Sequence, residues 1–250
     1  MDRREFTKQL LTTVSSFALM DSLLAFNAIE KNIKPITDHW AISLQEYCSD
    51  LKINAITPIQ WQQKIEELYC KVDLEELLKF INFENLVKGF EYPEYGVSTK
   101  PVKFPILQGL PENTVFVKKI FGMKKDRAII PHGHSNMASA HLLLKGEMHL
   151  RHYEKIHQES QNLIIKPSID TIAKVGESSS ISDEKDNVHW FIAHTETAFT
   201  FDVIMLDLNQ KSYDIHNLDI YKSEDLKNGT LKVPILDTQV ALKKYGKHHH

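Results

Sequence analysis

The chain has 250 residues, 42% of them hydrophobic, with 30 lysines and arginines against 33 aspartates and glutamates and a net charge of −3. That length can bury one main core and still leave a smaller accessory segment. The near-neutral balance, without a basic stripe interleaved with aromatics, excludes nucleic acid as an expected partner.

The N-terminal run Asp2-Arg3-Arg4-Glu5-Phe6-Thr7-Lys8, followed by mildly apolar residues from Leu10 to Met20, resembles a twin-arginine export leader. Residues 1–30 are assigned to that leader. It implies passage of a folded protein through the twin-arginine export machinery to the periplasm or beyond, with the leader cleaved or kept as an anchor; without a working leader the protein is cytoplasmic. The apolar run, interrupted by Asp21, is too short for a transmembrane span.

Residues 31–95 form a helical accessory segment. Trp40, Leu44, Cys48 and Leu51 recur every three to four positions, Thr57-Pro58 reads as a helix start before Trp61, Ile65 and Leu68, and Leu77, Leu78, Phe80, Ile81 and Leu86 repeat the pattern. Such stripes are packing surface. The cysteines, Cys48 and Cys70, have no metal-ligand spacing and are either a disulfide or two buried thiols.

Residues 96–225 change to short runs alternating with period two: 102–107, 114–121, 127–130, 141–144, 148–153, 163–165, 171–175, 188–193 and 198–206. Lys145-Gly146-Glu147 is a hairpin turn, and 178–186 reads as a solvated loop. Many short strands predict a mainly β sandwich or closed barrel behind a helical segment. Residues 226–250 add a strand at 231–235, a helix at 238–245 and a tag-like tail, His248-His249-His250.

His132-Gly133-His134 is the strongest chemical signal. On a strand, the one-residue gap aims both imidazoles to one side. A third histidine, His189, would complete a site of three neutral donors with open positions on a transition metal. The sequence Pro131-His132-Gly133-His134, Ser139, Gly146 and then His189 resembles the two motifs of the cupin superfamily, with Ser139 where the first motif carries glutamate and Glu184-Lys185-Asp186 in place of the second motif's Pro-x-Gly. Over about 124–207, Pro-His-Gly-His-Ser-Asn-Met, Leu-Lys-Gly-Glu-Met-His-Leu-Arg-His-Tyr, Asn187-Val188-His189 and Ala198 to Val203 are similar to the three-histidine thiol dioxygenases of the plant cysteine oxidase and cysteamine dioxygenase group.

The resemblance implies a cupin double-stranded β-helix, a jelly-roll barrel, holding non-haem Fe(II) on His132, His134 and His189; Zn, Ni and Mn suit the same donors. It further implies oxidation of a small thiol or an N-terminal cysteine to a sulfinate with O2. Asp202 matches the family's acidic residue, and Tyr213 stands in for a tyrosine of the family's missing Pro-Pro-Tyr. From the residues themselves, Arg127 and Arg151 are candidate grips for a substrate carboxylate. Tyr153 is a candidate hydroxyl beside oxygen, and Met137 an apolar lining group. His141, His149, His152 and His194 are read as supporting or surface imidazoles. The competing reading is a periplasmic cupin that binds a metal or small ligand without turnover. Either version is compatible with a homo-oligomer.

Overall fold

The computed structural model describes residues 34–247; the leader assigned to 1–30 and the terminal histidines lie outside them. Among the described residues four helices come first: α1 (Lys34–Lys52), α2 (Pro58–Lys71), α3 (Leu74–Phe80) and α4 (Phe83–Val87). Thr57 starts α2 by a reciprocal cap: its hydroxyl accepts from the Gln60 N–H while the Gln60 side chain accepts from the Thr57 N–H. Pro58 then supplies a pre-set φ in the first turn. Among the described residues no helix is long and apolar enough to cross a membrane.

Twelve strands follow: β1 (Ser98–Pro101), β2 (Val117–Lys124), β3 (Ala128–Ser135), β4 (Ala138–Lys145), β5 (Met148–Gln158), β6 (Asn162–Ala173), β7 (Ser178–Ile181), β8 (Val188–Ala193), β9 (Thr197–Met205), β10 (Asp214–Leu218), β11 (Glu224–Asp225) and β12 (Leu231–Leu236). A further helix, α5 (Thr238–Tyr245), follows β12. One sheet has the order β1-β2-β9-β4-β7 and the other β10-β3-β8-β5-β6-β12-β11, with β10 also pairing β12. Within them, β2-β9-β4-β7 and β3-β8-β5-β6 are the two interleaved four-strand sets of a jelly roll, so the barrel is the double-stranded β-helix expected.

Alternation along the strands sorts side chains into layers. In β4 and β9, Ala138, Ala140, Leu142 and Leu144 and then Phe199, Phe201, Val203 and Met205 point outward and pack with Trp40, Leu44, Trp61 and Ile65 of the helices. The other parity, with Met123, Ile129, Leu143, Met148, Leu150, Phe191 and Ala198, fills the barrel interior. Helix α5 covers the outer face of β3 and β8 through Ala241 and Tyr245 against Ala128, Ile130, Trp190 and Ile192. Gly146 turns the β4–β5 hairpin at φ +83°, where a Cβ would also lie 2.4 Å from Thr195 Oγ1.

Four readings of the sequence change. Residues 178–181 are a largely buried strand and not a solvated loop, held against helix α2 where Ser180 donates to Glu66 and, just past the strand, Ser182 donates to Gln62, each at 2.6 Å. The runs 163–165 and 171–175 merge into the single long strand β6. The run 102–107 pairs only through the Val102 N–H, which donates to the Lys118 carbonyl. Cys48 is buried and Cys70 exposed, and both are free thiols.

Candidate metal centre

The site is built on β3 and β8, which lie side by side. Ile129 opposes Phe191 and His132 opposes His189, so β3 advances three residues where β8 advances two. This β-bulge inverts the parity of β3 at Ile130-Pro131: Ile129 and His132 both face the interior. Beyond it, His132 and His134 share the inward face as their spacing predicted, and Gly133 faces out. A Cβ on Gly133 would lie 3.0 Å from Val188 Cγ2 and 3.1 Å from Asn187 Oδ1, tight enough to press on that amide.

The three imidazoles meet. One ring nitrogen from each of His132, His134 and His189 lies within 4.8 Å of the other two. Ring centroids are 4.6 Å apart for His132 and His134, 4.2 Å for His132 and His189, and 5.1 Å for His134 and His189. His132 Nδ1–H donates to the Ile130 carbonyl at 2.7 Å, which leaves Nε2 with a free lone pair. His134 Nδ1 lies 2.8 Å from Met137 Sδ, and its Nε2 is buried without a partner, as is His189 Nδ1. Burial pushes the His132 pKa down to about 4 and those of His134 and His189 well below the ordinary value, so all three rings are neutral at physiological pH. Uncharged imidazoles with orphaned lone pairs inside a barrel fit a transition metal.

Asn187 fixes His134 from behind. Its Oδ1 accepts from the His134 N–H at 3.0 Å and its Nδ2 donates to the His134 carbonyl at 3.1 Å and the Ser182 carbonyl at 3.0 Å. Lys155 donates to the same His134 carbonyl.

No carboxylate joins the cluster among the described residues. Ser139 instead sits within a buried chain: its hydroxyl is 3.1 Å from His141 Nε2, and His141 Nδ1 is 2.7 Å from Asp202 Oδ2. With Nδ1–H donated to the carboxylate, a neutral His141 ring offers Nε2 as acceptor to the serine hydroxyl. The His141 ring lies 5.1 Å from that of His189. Asp202 is thus joined to the centre through His141. A fourth inward imidazole, His152, opposes His189 across β5 and β8, with both ring nitrogens buried and unpartnered and its pKa pushed down by burial to about 3.

Several expected site residues lie elsewhere. Because His152 faces inward, its strand neighbours Arg151 and Tyr153 face outward. Arg151 lies over the Trp190 ring at 4.7 Å and pairs with Asp170 at 3.3 Å, while Tyr153 packs with Leu163, Val188, Leu218 and Val233. Arg127 sits before the far end of β3, where its backbone bridges Lys247. Tyr213 is 46% exposed, with its N–H donating to Asp207. Met137 is buried, with its sulfur against His134 Nδ1.

Two spaces adjoin the centre. A cleft of about 540 Å³ opens on the flank of the barrel where β3 has not yet paired with β10, and His132 forms part of its wall. On the other side, an apolar void of about 20 Å³ lies among His141, Leu143, Leu150, Phe191 and Thr200.

The structure thus defines a jelly-roll barrel with an internal three-histidine centre. No protein-family model and no curated protein matches the chain. Solved structures with partial likeness include procruciferin, an 11S globulin from Brassica napus (11% identity, 41% of this chain and 22% of that chain, TM-score 0.31). Others are an oxalate oxidase (11%, 48% and 55%, TM-score 0.35) and a cupin superfamily protein from Desulfitobacterium hafniense (10%, 49% and 88%, TM-score 0.32). The match spans about a fifth of the globulin and about half of the oxidase. At such scores the fold rests on the strand order itself.

Proposed function

We propose that the chain is a cupin-type non-haem iron enzyme that oxidises a small thiol to a sulfinate with O2. The observation that carries this reading is the convergence of three neutral imidazoles within 4.8 Å of one another, with Ser139 at the position where a cupin carries an anionic ligand. A cation held by neutral donors keeps its full charge and favours a substrate that brings its own anion, as a thiolate does. When bound, iron would supply Lewis acidity and redox capacity.

The chain's residues do the rest. His132 and His134 present Nε2, each ring oriented through Nδ1, and Asn187 holds the backbone of His134 in place. Asp202 fixes the orientation of the His141 ring, whose Nε2 lies within hydrogen-bonding distance of the Ser139 hydroxyl. Ile129, Leu143, Leu150 and Phe191 exclude water from the interior. The conversion RSH + O2 → RSO2H balances without an external reductant: sulfur loses four electrons, and both oxygen atoms enter the product. The apolar walls support turnover of a thiol over a binder of polar ligands, which would need more hydrogen-bonding groups than the cleft offers.

The test is anaerobic iron loading, then oxygen uptake and mass analysis of the product with cysteamine, cysteine, 3-mercaptopropionate, an alkyl thiol and a cysteine-led peptide. A gain of two oxygen atoms is expected for at least one thiol. Stoichiometric iron without uptake for any of them sinks the proposal. Export through residues 1–30 belongs to the same reading, and fractionation of expressing cells checks it.

A further inference from the structure

The cleft beside His132 is walled mainly by hydrocarbon. Pro93, Val97, Phe121, Ile129, Ile215 and Leu242 contribute to it, and no lysine, arginine, aspartate or glutamate does. Its polar groups are Tyr95, His132, Asn217 and Thr238, and the Asn217 amide already donates to Thr238 Oγ1 at 3.0 Å. Small-molecule sites commonly enclose roughly 300–1,000 Å³, and this one has about 540 Å³. Its position is set by the fold: ahead of the residues that pair with β10, Ala128, Ile129 and Ile130 border a gap between the two sheets, and 93–97 and α5 form its rim. Of the two arginines singled out in the sequence, Arg151 pairs with Asp170 on the outer face, and Arg127, whose backbone bridges Lys247, is not among the residues that line the cleft.

We infer that this cleft takes an uncharged small molecule with an aliphatic body and leads it past His132 to the three-histidine centre. Combined with the thiol reading above, on which only the identity of the reacting atom rests, the substrate class is a neutral alkyl thiol and not an amino-acid or carboxylate thiol. A carboxylate or ammonium group entering the cleft sheds its water without meeting an opposite charge among the lining residues. An aliphatic body of the same size gains by leaving water.

Calorimetric titration of the full-length protein, iron-loaded under anaerobic conditions and metal-free, separates the two readings. The probes are butanethiol, 1-butanol, 3-mercaptopropionate and cysteamine. Butanethiol is expected to bind the loaded protein at least about tenfold more tightly than either charged thiol, and butanol to bind with or without metal. Ile215→Trp and, separately, Val97→Trp fill the cleft and should abolish butanol binding, with metal content by elemental analysis unchanged. Charged thiols that bind as well as butanethiol, or unaltered butanol binding in both variants, overturn the inference. If butanol and butanethiol bind the loaded protein equally and no oxygen is consumed, the cleft assignment is supported and the thiol reading falls.

Discussion

The two faces of β5 and β8 differ by one residue step and carry opposite chemistry. Inward, His152, His189 and Phe191 are almost fully buried, and burial keeps both imidazoles neutral. Outward, Asp170 pairs with both His149 and Arg151, and Arg151 lies over the ring of Trp190, which is buried beneath helix α5. Histidine occurs on both sides, so residue type does not decide function here. The face decides it: in the dry interior an imidazole without a partner is costly until something binds it, whereas outside it is one more solvated pair.

Ligand removal should break that contrast most sharply. His189→Ala is expected to weaken metal binding by more than about 100-fold, beyond the roughly 10–100-fold cost of losing a supporting group; elemental analysis after dialysis measures it. Protonation is the next lever. In the metal-free protein, His132 and His152 have folded pKa values of about 4 and about 3, below the ordinary 6.5. The unfolded chain therefore takes up protons first as pH falls from about 6.5. Stability supplied by the neutral rings is complete above that pH and lost toward about 3–4, a change on the order of a few kcal/mol. Denaturant titrations from pH 7 to 4 should show the decline, and His152→Phe should shrink it. A flat profile would mean that the inner imidazoles are already hydrated.

Asn187→Ala probes the inner face one step behind a ligand. Losing its bonds to His134 should cost about 1–3 kcal/mol of stability and roughly 10–100-fold in metal affinity. Retained affinity would show that His134 is positioned by the strand alone. Arg151→Ala, on the outer face, should change stability by no more than about 1 kcal/mol and leave metal content unaltered, which thermal melts and elemental analysis can check together.

The sequence made part of this layout legible. His132 and His134 were readable because period-two alternation is local: whichever way the strand faces, the pair faces together. The helix stripes were readable for the same reason, Trp61 and Ile65 lying on one side of α2 by spacing alone. Arg151 and Tyr153 were misplaced because choosing between inside and outside requires the cross-strand register, here His152 opposite His189. Nothing in 148–153 by itself states that register. Strand β7 is hidden by its serines, polar residues whose place against α2 shows only in three dimensions, where Ser180 meets Glu66 and the adjoining Ser182 meets Gln62 more than a hundred positions earlier. Asn187 was visible as a letter beside His189, but its hold on His134 arises only when β3 and β8 lie together.

The slip at Ile130-Pro131 lets one strand obey two phases. Its first half is set by hydrocarbon packing, its second by where lone pairs must converge, and a single surplus residue reconciles the two. Packing upstream of the slip can therefore drift without rotating the donors, and the donors can be re-aimed without disturbing that packing. A chain assembled this way can change its chemistry and keep its scaffold.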